Sequence, residues 1–250
     1  MKISCIVKRY DDKKFGKEYA SAELCGSRVA NLFGVDTNYV APIKHNPENI
    51  IIVDFLYGEQ KFDDLYDLSG SMRTEIYNTP KDDVPVRLLL NRITRAAQQK
   101  IPEKSDKKKL IYNLQRDFIR FYLLRRYILS DRDLAGVNMS FVHSGDYSDL
   151  HMGPAFDFER CFDLIGVNIT NRIDDEMEFL VNKYPEQLTE AIKTFTFDDK
   201  KDKLKAIFDK FDCTYISTIE RMNFIENMLI NINGYYRKFT EMKNQNALEK

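Results

Sequence analysis

Ser130-Asp131-Arg132-Asp133-Leu134-Ala135-Gly136-Val137-Asn138 is the stretch on which the fold of this chain turns. It has no clean apolar period, so it reads as a loop, and it runs straight into an apolar strand, Met139-Ser140-Phe141-Val142. Upstream, a helix is expected over 107 to 129. Leu110, Ile111, Leu114, Phe118, Phe121 and Tyr122 recur at helical spacing, and Arg125 continues the stripe as its polar member. Downstream, His143-Ser144-Gly145-Asp146 supplies a hairpin turn, and a second short strand, 150 to 156, runs into Asp157-Phe158. A long helix thus feeds a polar loop and a strand pair, with one acid, Asp133, in the loop and another, Asp157, where the strand pair ends.

Toward the start, residues 2 to 8 read as a strand, because Ile3, Cys5 and Val7 alternate with Lys2, Ser4 and Lys8, apart from the apolar Ile6. After the charged turn 11 to 14, a helix is expected over 18 to 33. Its packed face carries Tyr19, Ala22, Gly26, Val29, Ala30 and Phe33, and Gly34 supplies the stop. Glu23 falls among those packed side chains. A carboxylate buried without a partner costs on the order of several kcal/mol, so it should face a cation, and Lys8 at the end of the preceding strand is the nearest candidate. Two further strands, 35 to 43 and 49 to 56, flank the turn-forming His45-Asn46-Pro47. Beyond Asp67 the texture becomes helical, with a candidate helix over 84 to 99 and a helical region from Asp174 to the end, broken near Pro185 and at 198 to 202. These elements give an α+β fold with a small mixed lobe, 1 to 58, and a larger, mainly helical lobe, 59 to 250, and a ligand would occupy the cleft between them.

Composition narrows the function. The 250 residues are 43% hydrophobic and 31% charged, a globular balance. The formal net charge of -1, from 38 basic and 39 acidic residues, gives no general attraction to nucleic acid or to an anionic membrane. The apolar run at the start is too short for a signal-peptide core, and no stretch approaches the roughly 20 apolar residues of a membrane span, which reads as a cytoplasmic protein. Cys5, Cys25, Cys161 and Cys213 are widely spaced and form no CxxC pair, so reduced thiols are expected. His45, His143 and His151 lack metal-ligand spacing and are given no catalytic role.

Each polar signal has an ordinary reading when taken alone. Lys8 and Glu23 could be surface charges, the loop pattern could arise by chance, and an Asp ending a strand is a common cap. Their order is more specific. Arg132, Asp133, Leu134 and Asn138 match every fixed position but the first of the protein-kinase loop pattern H-R-D-L-x-x-x-N, and Asp131 stands where the His would be. A strand lysine paired with a helix glutamate and an Asp-Phe pair following the loop complete the kinase arrangement, although Glu159 stands where many kinases have Gly. The set resembles the HipA-like serine/threonine protein kinases of the compact type. Gly34-Val35-Asp36-Thr37 is similar to that family's step from the first helix into the next strand, and Gly153-Pro154-Ala155-Phe156-Asp157 to its entry into the metal site. The 19-residue step from Asn138 to Asp157 also fits that group better than ordinary kinases, and the resemblance covers about residues 5 to 165.

What the resemblance implies is a two-lobed kinase fold, ATP and Mg²⁺ as cofactors, and a protein Ser or Thr, or the chain itself, as phosphate acceptor. Lys8 would contact the phosphates and Glu23 would anchor it. Asp133 would take the acceptor proton, Asn138 and Asp157 would hold Mg²⁺, and the strand end at Asp54, Phe55 and Leu56 would meet the adenine. Two departures stand against this. The family's loop His has no equivalent, and Lys8 lies so close to Met1 that no strand pair and glycine-rich phosphate loop precede it. Either the chain is shortened, or a partner chain supplies the loop, or the protein is a pseudokinase or regulatory nucleotide-binding module. A purely helical interaction protein built on 174 to 250 would explain none of the central motifs.

Overall fold

The structure is a computed structural model describing residues 5–10, 16–53, 60–70, 85–103, 106–131, 134, 138–162, 172–211 and 216–248. Its first sheet comprises β1 (Cys5–Lys8), β2 (Tyr39–Ile43) and β3 (Asn46–Val53), all antiparallel in the order β1-β3-β2. Lys8 pairs with Ile50 and Cys5 with Val53, so the continuous apolar run of β3 takes the central place and its neighbours satisfy its backbone on both sides. Pro42 lies on β2, an edge strand, where a missing N–H is tolerated, and the register shifts beside it.

Helix α1 (Gly16–Leu32) joins this sheet to the rest of the molecule. Ala20 and Leu24 pack with Tyr10, Val40, Ile50 and Ile52 in a small cluster on the sheet. Cys25, Val29, Ala30 and Phe33 belong instead to the large core, so one helix faces two cores. It ends as expected at Gly34, whose φ of +78° lets Val35 N–H return to the carbonyl of Ala30 at 3.0 Å. The chain then forms a parallel bridge between Thr37 and Ala155, with Ala155 N–H donating to Asp36 at 2.7 Å. That bridge brings the approach to Asp157 against the small lobe.

The larger part holds α2 (Leu65–Ser69), α3 (Val86–Lys100), α4 (Lys107–Leu123), α5 (Ile173–Lys183), α6 (Pro185–Ile192), α7 (Lys201–Lys210) and α8 (Thr218–Leu248). It also holds a second antiparallel sheet, β4 (Lys61–Asp63), β5 (Phe141–His143) and β6 (His151–Met152), in the order β4-β5-β6. The 107 to 129 expectation is met in two parts, because α4 passes at Leu124 into a π-helical turn, Leu124–Ile128. The second strand of the hairpin is only two residues long. Pro154 has no N–H to pair, and Gly153 donates to Ser140 at 2.8 Å before the chain turns toward Asp36. Buried Glu176 on α5 accepts from Tyr122 at 2.7 Å, Tyr127 at 2.5 Å and Val86 N–H at 3.3 Å, tying three segments of the core together. Among the described residues no helix is long and apolar enough to cross a membrane. Cys25 and Cys161 are buried cysteines outside any disulfide.

Candidate functional site

Strand β1 delivers Lys8 and helix α1 delivers Glu23, and the two meet as the sequence predicts: Lys8 Nζ lies 3.0 Å from Glu23 Oε2. The same ammonium bonds to Asp157 Oδ1 and lies 3.8 Å from Glu159 Oε2. Glu23, fully buried, spends its second oxygen on the backbone, accepting from Asp157 N–H at 3.1 Å. One carboxylate therefore fixes both the lysine and the main chain of the acid 134 residues away. Burial works against the charge on Lys8, but Glu23 and Asp157 together outweigh it and raise its pKa. Burial likewise pushes Glu23 above the usual carboxylate range, opposed chiefly by Lys8. Tyr10, just past β1, donates to Glu159 at 2.7 Å, and burial followed by the charges of Glu23 and Glu159 raises its pKa.

Asp157 is held from the other side as well. Its backbone is left-handed, φ +64°, a conformation Asp tolerates better than most side chains. Arg125 donates through Nη1 to the carbonyl of Phe156 at 3.1 Å and through Nη2 to that of Asp157 at 2.7 Å. The Arg125 guanidinium is fully buried between the rings of Phe121 and Phe158, 5.6 and 4.9 Å from their centroids. Its charge is answered by Asp131, also fully buried, whose Oδ2 accepts from Nε at 2.6 Å and from Nη2. Arg125 was legible only as the polar member of an apolar stripe. A charge at a core position always demands a partner, and that signal alone pointed to it. Gly26 completes the packing: a Cβ there would come within 2.6 Å of Phe158 Cβ and 2.7 Å of Cys161 Sγ, so α1 and the segment after Asp157 touch through a missing side chain.

Of the other predicted site residues, Asn138 is buried in the segment before β5, whereas Asp133, Asp54, Phe55 and Leu56 lie outside the described residues. His143 is buried without a place in this cluster, stacked on Tyr147 at 3.8 Å. Among the described residues no group of three or more His, Cys, Asp or Glu side chains forms a metal site by itself. The donor chemistry nonetheless suits Mg²⁺, since an Asp carboxylate and an Asn amide are hard oxygen ligands of the kind it takes together with substrate phosphates. Three carboxylates around one ammonium also leave an excess of negative charge that a divalent cation would balance. A groove of about 1240 Å³ lined by Lys193, Phe195, Lys200, Ile230 and Arg237 lies elsewhere, beside α8, and contains none of these residues.

No protein-family profile matches the chain, and no curated protein sequence matches it. Solved structures do. The Helicobacter pylori proinflammatory kinase CtkA superimposes with a TM-score of 0.58 over 96% of this chain and 91% of its own, at 16% identity. HipA, from the Shewanella oneidensis MR-1 toxin–antitoxin complex of HipA, HipB and operator DNA, superimposes with a TM-score of 0.59 over 95% of this chain at 11% identity. This chain spans 60% of that one. At such identities the likeness speaks for the fold, and the fold is the mixed α+β, two-lobed, kinase-like architecture shared with CtkA and HipA.

Proposed function

We propose that the protein is an ATP- and Mg²⁺-dependent phosphotransferase of the HipA-like serine/threonine kinase type, acting on a protein hydroxyl or on itself. The observation that carries this reading is the joining of Lys8, Glu23 and Asp157 across the two lobes, with Lys8 ion-paired to Glu23 at 3.0 Å. Phosphoryl transfer needs little covalent chemistry from the protein and depends on positioned charge. Lys8, fixed by Glu23, has donors to offer the phosphates. Asp157 and Asn138 would hold Mg²⁺, which when bound neutralises charge on the phosphates. Asp133, five residues before Asn138, would accept the proton of the attacking hydroxyl, and the strand end at Asp54, Phe55 and Leu56 would meet the adenine.

One observation favours a second reading. Lys8 bonds directly to Asp157 Oδ1, one oxygen of the carboxylate that would hold the metal. A regulatory nucleotide-binding module or pseudokinase accommodates that contact without turnover. Two nearly isosteric changes separate the readings. Asp157→Asn should weaken Mg²⁺-dependent ATP binding and phosphoryl transfer together, whereas Asp133→Asn should leave binding intact and lower transfer by roughly 10²-fold or more. Binding is followed by thermal shift with and without Mg²⁺, and transfer with radiolabelled ATP on the protein alone and in a cell extract. Mg-ATP binding without transfer by the wild type selects the binding module. No Mg-ATP binding at all refutes both readings.

A further inference from the structure

The buried pair Arg125–Asp131 has no part in the chemistry proposed above, yet its hydrogen bonds run straight to the segment carrying Asp157. A buried ion pair is weak support for stability by itself, because well-packed apolar side chains of similar volume do as well or better. The use of this one lies in where the remaining guanidinium hydrogens go. Asp131 takes Nε and Nη2, and this fixes the plane of the fork so that Nη1 and Nη2 meet the carbonyls of Phe156 and Asp157 at 3.1 and 2.7 Å. A lysine, with no planar fork, could not divide its donors in this way.

The backbone builds the same geometry from both ends. The π turn lets Leu129 N–H reach the carbonyl of Leu124 at 2.8 Å, Ser130 follows with φ +49°, and Asp131 N–H closes back on the carbonyl of Arg125 at 2.9 Å. Arg125 and Asp131 are thereby locked into one loop, which Phe162 N–H clasps by donating to Leu129 at 2.6 Å. A left-handed non-glycine residue such as Asp157 persists only where its surroundings over-determine it. Here Arg125 holds its carbonyl, Glu23 its amide and Lys8 its carboxylate.

We propose that Arg125, oriented by Asp131, is the positioning residue that aims the Asp157 carboxylate at Lys8. Its meaning for metal binding rests on the function proposed above, while the positioning itself does not. The test uses the full chain with Arg125→Met/Asp131→Leu, which removes both charges and keeps the volume, and Asp131→Asn, which leaves the arginine in place with a weaker anchor. Circular dichroism and thermal unfolding confirm the fold of each. Hydrogen–deuterium exchange is then followed by mass spectrometry on ligand-free protein. Exchange should rise about tenfold or more in peptides covering 155–162 of the double variant, less in Asp131→Asn, and stay unchanged over α5 and α6. The Mg²⁺ concentration giving half of the ATP-induced thermal shift should rise roughly 10–100-fold, the usual consequence of losing a group that orients a metal ligand.

Unchanged exchange over 155–162 in folded variants overturns the proposal. So does a uniform rise across the helical lobe, which would mark a purely structural pair, whereas raised local exchange with an unaltered Mg²⁺ requirement overturns the link to metal binding. If the wild type shows no Mg²⁺-dependent ATP binding, the proposed function fails, and the local exchange alone decides whether Arg125 positions Asp157.

Discussion

Replacing Lys8 by methionine keeps the apolar stem and removes the ammonium, leaving the fully buried Glu23 without its cation. At 3.0 Å and an effective dielectric of about 20 the lost attraction is about 5.5 kcal/mol. The observed loss is smaller, because Glu23 can bind a proton instead. Holding a carboxyl of ordinary pKa 4.5 neutral at pH 7 costs at most about 3.4 kcal/mol, and at pH 5 only about 0.7. The sign follows from the raised folded pKa of Glu23: its favourable contribution is complete below 4.5 and is lost as pH rises through the folded value. Removing Lys8 moves that folded value further up. Asp157 and Glu159, with side chains 22% and 24% exposed, can turn to water and add little. Chemical denaturation of wild type and Lys8→Met at pH 5, 6 and 7 should therefore show a deficit growing by up to about 2.7 kcal/mol over that range. Adding Glu23→Gln should abolish most of the pH dependence. A deficit equal at pH 5 and pH 7, or larger at pH 5, would refute the idea that these two side chains form a buried pair.

Gly26→Ala should cost about 1–3 kcal/mol, because the new methyl meets Phe158 and Cys161 inside van der Waals distance, and Tm should fall by about 2–4 °C for each kcal/mol. An unchanged Tm would show that α1 does not press on the segment after Asp157. Burial, then Glu23 and the hydrogen bond to Glu159, hold Tyr10 protonated beyond its usual 10, so its contribution is complete below pH 10 and is lost as pH rises. Tyr10→Phe should therefore lose about 0.5–1.5 kcal/mol near pH 7 and unfold less readily than the wild type, relative to that baseline, above pH 10. Denaturation at pH 8 and pH 10.5 checks this, and parallel losses at both would refute it.

The sequence made the cluster legible where packing and chemistry pull in opposite directions. Glu23 sits among small residues that only a packed helix face would collect, so an acid there required Lys8 or a residue like it. Asp157 was placed by its order after the loop and the hairpin. The partner of Glu23 on the main chain, Asp157 N–H, could not be read, since a backbone amide leaves no trace in side-chain spacing. Short β4 and α2 were missed as well: three residues are too few for an alternation, and α2 is set by its ends. Asp64 caps it by accepting from Tyr66 and Asp67 N–H at 2.8 Å each, and Gly70 closes it with φ +60°. The role of Asp131 was hidden for a different reason. By position it looked like a substituted histidine, and its partner, Arg125, lies in the π turn that ends the preceding helix, a turn side-chain spacing does not reveal.

Helix α1 has a mechanical consequence. Cys25, Val29 and Phe33 anchor it in the large core, Arg221 of α8 reaches Cys25 Sγ at 3.8 Å, and Thr194 grips the carbonyl of Phe33 at 2.7 Å. Swinging α1 away from the helical lobe would strip at least Val29 and Phe33 from that core, at roughly 1.5–3 kcal/mol each. The movable piece is then the three-stranded sheet, which rests on α1 through the small cluster of Tyr10, Ala20, Leu24, Val40, Ile50 and Ile52. Movement between the sheet and the helical lobe would be directed into a shear of that sheet across a stationary helix. In such a shear Lys8 would travel with the sheet while Glu23 and Asp157 stay behind, so the ion pairs of Lys8 are the contacts that would resist it.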